Sequence, residues 1–154
     1  MPRVFESLDE FKAAAGEELG TSDWVTVTQE QINTFADATG DHQWIHVDPE
    51  RAAQGPFGAP IAHGYLTLSL LPALAENIYD VKGLAMGVNY GANKVRFPHP
   101  VPVNSRVRAT GTLKETSDIA IGTQVIINFV IEIEGVDKPA CIAEVVYVMA
   151  AEGN

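Results

Sequence analysis

Apolar positions along this chain change their spacing once, near Lys82. Before that point they recur at three and four residues. Phe5, Leu8 and Phe11 space a helix over 5–15 that Gly16 stops. Trp24-Val25-Thr26-Val27 reads as a short strand. Thr28, with Gln31 at the capping-box position, opens a helix over 29–39 whose inner stripe is Ile32, Phe35 and Ala36, and Gly40 ends it. Residues 41–60 carry no sustained period and hold Gly55, Pro56, Gly58 and Pro60, which predicts a loop. Between Ala62 and Tyr79 the apolar residues leave almost no polar face (Tyr65, Leu66, Leu68, Leu70, Leu71, Leu74, Ile78), so a helix there must be wrapped on several sides. Pro72 lacks an N–H and is expected to kink it.

After Lys82 the period becomes two. Val107, Ala109, Gly111 and Leu113 alternate with polar residues. Val125, Ile127, Phe129, Ile131 and Ile133 form the next inward face, and Cys141, Ala143, Val145, Tyr147 and Met149 the last. Turns are expected near Ser117-Asp118 and over 135–138. Helices first and strands later predict an α+β fold with long antiparallel strands, in one domain over 1–154.

Charge narrows the function. Twenty acids against ten bases give a formal charge of −10, a surface that repels phosphate backbones and argues against nucleic-acid binding. Yet residues 81–114 contain six bases (Lys82, Lys94, Arg96, Arg106, Arg108, Lys114) and no acid. That segment suits either an anionic ligand or a solvated strand face. The lone Cys141 excludes an intrachain disulfide and a thiolate zinc cage. No secretory pattern opens the sequence, and the apolar run over 61–75 is shorter than the ~20 residues of a membrane span. A cytoplasmic protein with no membrane partner is expected.

The densest polar cluster is Gly40-Asp41-His42-Gln43-Trp44-Ile45-His46-Val47-Asp48-Pro49. It supplies either an acid/base pair beside an apolar cleft or a surface loop with capping aspartates and solvated histidines. A metal set of His42, His46 and Asp48 with a distant His99 is a weaker option. No G-x-S-x-G elbow occurs, and Cys141 falls inside a strand pattern, where a buried thiol is inert.

Three stretches together resemble a known family. Asp41-x-x-x-x-His46-x-Asp48-Pro49, then Pro60-Ile61-Ala62-His63-Gly64-Tyr65-Leu66, then Asn93-Lys94-Val95-Arg96-Phe97-Pro98-x-Pro100-Val101 are similar to the signature of the MaoC-like, R-specific enoyl-CoA hydratases. Gln43-Trp44-Ile45 stands where members commonly carry Asn-Pro-Leu, closer to a nodulation-protein-N-like subgroup. The resemblance implies a hot-dog fold, a long antiparallel sheet around a central buried helix, assembled as a homodimer. It implies reversible hydration of trans-2-enoyl-CoA to (3R)-3-hydroxyacyl-CoA without a cofactor. Asp41 and His46 would activate water, and the Gly64 N–H would hold the thioester oxygen. Gln43, His63, Tyr65, Gly87, Asn89, Lys94 and Arg96 are the candidate substrate contacts, with His63 either touching substrate or bonding the loop backbone. A hot-dog acyl-CoA thioesterase and a non-catalytic acyl-CoA-binding protein are the alternatives.

Overall fold

The long strands begin where the alternation does. The computed structural model describes residues 1–153. The chain runs β1 (Arg3–Phe5), α1 (Leu8–Ala13), β2 (Glu18–Thr21), β3 (Val25–Thr26), α2 (Gln29–Thr39), α3 (Trp44–Val47) and α4 (Pro49–Ala53). Then follow α5 (Gly64–Ser69), α6 (Leu71–Glu76), β4 (Tyr79–Val81), β5 (Leu84–Arg96), β6 (Arg106–Ile119), β7 (Gly122–Ile133) and β8 (Cys141–Ala151). One antiparallel sheet has the order β2-β6-β7-β8-β5, with β3 added to β6, and β1 pairs with β4 in a separate parallel ribbon. This is the α+β hot-dog architecture, with the helices α5 and α6 laid against β8 and β6.

The inner face of the sheet is the one the alternation marks. Val107, Ala109 and Leu113 of β6, Val125, Ile127, Phe129 and Ile131 of β7, and Cys141 and Ala143 of β8 are all buried and pack against Leu66, Leu71 and Leu74. Fully burying each Val, Leu, Ile or Phe side chain in this list stabilises by roughly 1.5–3 kcal/mol. Gly111 lies opposite Phe129 in the register, and a Cβ there would come within 2.9 Å of the Phe129 ring. The small residue in the inward row is therefore the slot for the large one. Tyr147 is only half-buried, a departure from the expected inward face.

Several local expectations shift. Helix α1 starts at Leu8 rather than Phe5, because the Ser7 hydroxyl accepts the Glu10 N–H and Phe5 closes β1 beside the Phe11 ring. Helix α2 keeps its expected bounds: Thr28 accepts the Gln31 N–H, and Gly40 takes a left-handed φ of 86°. The β6–β7 hairpin turns at Ala120-Ile121, three residues beyond the expected Ser117-Asp118, which lie in the ladder opposite Gln124 and Thr123. Gly122, at φ 152°, fixes this turn, since a side chain there would meet the Met149 carbonyl.

The expected single helix over 62–79 is two helices broken at Leu70, whose N–H is shared between the Leu66 and Thr67 carbonyls just before Pro72. It is not wrapped all round: Tyr65, Ser69, Pro72, Ala73 and Glu76 form an exposed side. The glycine-punctuated stretch over 84–96 is one long edge strand with three register shifts. No helix of the described residues is long and apolar enough to cross a membrane.

Candidate active site

The expected loop over 41–60 carries two short helices, and these place the chemistry. After Gly40 ends α2, the Asp41 carboxylate accepts the Gln43 N–H at 3.3 Å, a turn that aspartate favours. The Gln43 carbonyl then accepts the His46 N–H at 3.0 Å, so the single turn of α3 swings His46 inward. Asp48 caps α4 by accepting the Arg51 N–H, with Pro49 at its first position. Helices of four and five residues are too short to print a period.

His46 is buried, at 6% exposure, and its Nδ1 sits 2.7 Å from the Ile61 carbonyl. A carbonyl only accepts, so Nδ1 carries the proton and Nε2 keeps a free lone pair. Ile61 is itself held on both sides: its N–H donates to Ile45, it bridges Pro102, and the next N–H, of Ala62, donates to Val101. The chain then reaches His63 and Gly64. His63 is buried, its Nε2 lies 3.0 Å from the Asp41 carbonyl, and its ring stacks on His46 with centroids 3.9 Å apart. One donor-type atom from each of Asp41, His46 and His63 falls within 4.8 Å of the others.

Gly64 is the first residue of α5, so its N–H has no acceptor within the helix. His46 and Gly64 line one cavity of about 330 Å³, closed by Phe57, Thr67, Phe97 and Val101. The lining is mostly apolar, with His46, Thr67 and His99 as its polar side chains. Phe97 packs so closely on Gly64 that a Cβ there would lie 3.1 Å from the ring. Asp41 is exposed and does not line this chamber.

Of the candidate contacts, Tyr65 is 72% exposed and stands edge-on to Phe97. Gln43 is exposed, and its backbone ties Asp41 to His46. Its neighbour Trp44 covers Gly55 and lies beneath the Arg51 guanidinium. Gly87 and Asn89 line a separate cavity with Tyr79 and Tyr147 and are not brought to His46. In the basic segment, Lys82, Arg106, Arg108 and Lys114 pair with Glu6, Glu134, Glu132 and Glu144. Among the described residues, Lys94 and Arg96 are the two bases of that segment without an ion pair.

The suggested metal set does not assemble. His42 bonds Asp37 at the surface, and Asp48 is used as a cap. The trio that does gather has two stacked imidazoles tilted by only 23°. Lone pairs in near-parallel planes do not converge on one ion, so these residues do not fit a metal. Burial pushes the Cys141 thiol up to about 11, the opposite of an activated nucleophile. Sequence reasoning missed Phe97, Thr67 and Phe57 as cavity walls and Gln29, whose amide donates to the His46 carbonyl. Their only signal was proximity to the motifs, and Gln29 had none.

Burial pushes the His46 imidazole below its ordinary 6.5, the Ile61 carbonyl raises it, the facing His63 lowers it and Asp41 raises it. The net shift is downward. The unfolded chain therefore binds this proton at higher pH than the folded one. The contribution to stability is full above about 6.5 and is lost as pH falls through the folded value. Melting temperatures followed from neutral to acidic pH should decline in this window, and His46→Asn should flatten that part of the decline.

Comparison with known proteins gives a consistent neighbourhood. A family description, the MaoC like domain, matches residues 10–134. The chain is 62% identical over 143 residues to a 3-hydroxyacyl-thioester dehydratase Z of Mycobacterium tuberculosis, covering 92% of this chain and 95% of that one. It is 44% identical over 151 residues to a nodulation protein N of Rhizobium leguminosarum bv. viciae, covering 96% and 94%. An R-hydratase structure from Pseudomonas aeruginosa superposes with a TM-score of 0.72 at 20% identity, over 90% of this chain and 83% of that one, a likeness of fold.

Proposed function

The chain belongs to the MaoC-like domain family, and from that membership and the Asp41/His46 geometry we propose an R-specific enoyl-CoA hydratase acting reversibly between trans-2-enoyl-CoA and (3R)-3-hydroxyacyl-CoA. That the protein is a hydro-lyase of 3-hydroxyacyl thioesters follows from the dehydratase relative at 62% identity.

The observation that carries it is the 2.7 Å approach of His46 Nδ1 to the Ile61 carbonyl. With Nδ1–H committed to Ile61, Nε2 is left as the base; a ring nitrogen of His46 lies within 4.8 Å of an Asp41 carboxylate oxygen, and His46 lines the chamber that Gly64 borders. Nε2 takes a proton from water as the water oxygen bonds to C3 of the enoyl thioester. The C2–C3 π electrons move toward the thioester oxygen, and the Gly64 N–H holds the charge that builds there. The imidazolium returns the proton to C2, so one water is added and the enzyme ends unchanged. Asp41 orients the water and stabilises the transient imidazolium, each acid/base contribution being on the order of 10²–10⁴ in rate. No cofactor takes part in this scheme.

Incubating the purified protein with crotonyl-CoA tests it. Loss of the enoyl absorbance with formation of (3R)-hydroxybutyryl-CoA is expected. Release of a free thiol instead would indicate the thioesterase, and no change in either would leave an acyl-CoA-binding protein.

Lys94 and Arg96 are the CoA anchor in this reading. Both are exposed and, among the described residues, without an ion pair; Arg96 Nη1 donates only to the neighbouring Val95 carbonyl, and Arg96 directly precedes Phe97 at the chamber. Lys94→Gln and Arg96→Gln should each raise KM for CoA thioesters about two- to fivefold with kcat unchanged. A pantetheine thioester should be indifferent, and added salt should erase the difference, since screening acts over ~8 Å at physiological ionic strength. Equal losses on both substrates would remove the phosphate role.

A homodimer is part of the same reading. Among the described residues, strand β5 pairs only with β8, so its other edge presents unpaired backbone groups along a thirteen-residue strand, beside exposed Met86, Val88 and Tyr90. Long apolar edges of this kind are normally covered. A second copy, added edge to edge in a two-fold, covers both at once. Sedimentation should give near twice the 16.6 kDa chain mass.

A further inference from the structure

Four observations meet at His63. It is buried, at 3% exposure. Its Nε2 lies 3.0 Å from the backbone carbonyl of Asp41. Its ring is stacked on His46 at 3.9 Å, with Phe35 of α2 at 4.9 Å on the ring system. Its Nδ1 is the buried side-chain polar atom that lacks any partner among the described residues.

A substrate contact is a poor description of this side chain. His63 does not line the chamber that His46 and Gly64 share. A purely structural buried polar group is usually satisfied, because leaving one unpaired forfeits its hydration with nothing in return. Here one ring nitrogen is bonded and the other is left bare. The bonded nitrogen faces an acceptor, so it must be the protonated one. What that hydrogen bond holds is the backbone of the residue that carries the carboxylate.

We propose that His63 is the positioning residue of the Asp41/His46 pair: its Nε2–H clamps the Asp41 backbone while its ring is the platform for the His46 imidazole. Two reacting groups from different elements thus share one reference. Asp41 follows α2, and its own side chain is otherwise held only through the Gln43 N–H at 3.3 Å. His46 has its ring direction fixed by Ile61 and its ring plane by His63. His63 itself is anchored because its carbonyl accepts the N–H and the hydroxyl of Thr67, one turn into α5. The separation of carboxylate and imidazole is then set by one side chain rather than by the exposed loop between them. This inference rests on the hydratase reading, in which that separation matters.

Three substitutions divide the two contributions. The amide of His63→Gln reaches about where Nε2 lies and keeps a donor for Asp41. The amide of His63→Asn ends near Nδ1 and cannot reach. His63→Phe keeps the platform and loses the donor. With crotonyl-CoA, Asn and Phe should each lower kcat about 10- to 100-fold, the cost expected of a displacement on the order of 1 Å, with KM within about twofold. Gln should retain about five- to tenfold more kcat than Asn, the worth of about one hydrogen bond. A merely structural role predicts losses that follow melting temperature, with no separate rescue by Gln. If the Phe variant does not fold, the Gln and Asn pair decides alone.

The proposal is overturned by kcat values for Asn within about threefold of wild type, by Gln no better than Asn, or by a loss confined to KM. Long-range ¹⁵N–¹H spectra of the histidine rings supply a readout independent of turnover. His63 should appear as the Nε2–H tautomer in the wild-type chain, and the Nδ1–H tautomer would overturn the clamp. If the wild-type chain neither hydrates nor dehydrates, the proposed activity fails, and the ring spectrum still decides what His63 holds.

Discussion

Asp41→Asn and His46→Asn should each reduce crotonyl-CoA hydration by at least about 100-fold while leaving the fold intact. Asp41 is exposed, and its carboxylate accepts only the Gln43 N–H, a bond that the Asn side-chain oxygen still receives. The variant loses charge and basicity and little else. For His46 the choice of substitution matters, because the ring is buried and Nδ1 is bonded to the Ile61 carbonyl. The Asn amide nitrogen lies near the Nδ1 position and can keep that bond, whereas Nε2 and its lone pair disappear. Gln would place its nitrogen at the other end and leave the Ile61 carbonyl bare. The double variant should be hardly worse than either single one, since groups that act as a unit are strongly non-additive. Initial rates at saturating substrate, with melting temperatures as the control, check this. Either single variant retaining more than about a tenth of the wild-type rate would show that the pair does not do the acid/base work.

Gly64→Pro should cost about 10²–10³ in kcat, the loss typical of one oxyanion donor. The substitution is suited to this position alone. Gly64 is the first residue of α5, where proline is tolerated because that N–H has no helical acceptor. His63 before it already has φ −59° and ψ 140°, the extended conformation that precedes proline. The helix is therefore expected to form with one N–H removed. Proline also brings a ring toward Phe97, so Gly64→Ala is the matched control: it meets Phe97 at the same 3.1 Å and keeps the N–H. Phe97 is 41% exposed and has room to shift, so the Ala variant should lose far less. Equal kcat for the two variants would transfer the effect from the donor to the packing and take the oxyanion role away from Gly64.

Wherever the cause is local, structure and pattern agree. Helix α2 has the bounds its cap residues mark, because Thr28 and Gly40 act on their own neighbours. The inward rows of β6, β7 and most of β8 follow the period of two, because alternate side chains must point to opposite faces whatever the strand pairs with. The departures fall where a short segment depends on distant partners. Two helices of four and five residues within 41–60 have too few turns to show a stripe and are held by the Asp48 cap and the Ile45–Ile61 bond. The β6–β7 turn sits at Ala120-Ile121 because Gly122 must pass the Met149 carbonyl of β8, a contact between strands. Strand β5 was hidden by its glycines: as an edge with both faces exposed, it has no buried row to betray it.

The site divides along the same line. Asp41, His46 and Gly64 were legible as a spaced motif, since the chemistry demands those residue types and the motif lies within 24 positions, 41 to 64, of one segment. Residue type and order along the chain were therefore determined by sequence alone, as were the α+β class and the inner face of the sheet. Tertiary structure decided which nitrogen of His46 is free, because that depends on the Ile61 carbonyl, held in place by Ile45 and Pro102. It decided that Tyr65 faces outward while Phe97, the residue just after β5, closes over Gly64. It also decided that four of the six bases in 81–114 are neutralised by acids on other elements, leaving Lys94 and Arg96. Hydrogen-bond direction, ring stacking and ion pairing act over a few ångströms in space. No spacing along the chain records them until the strands have paired.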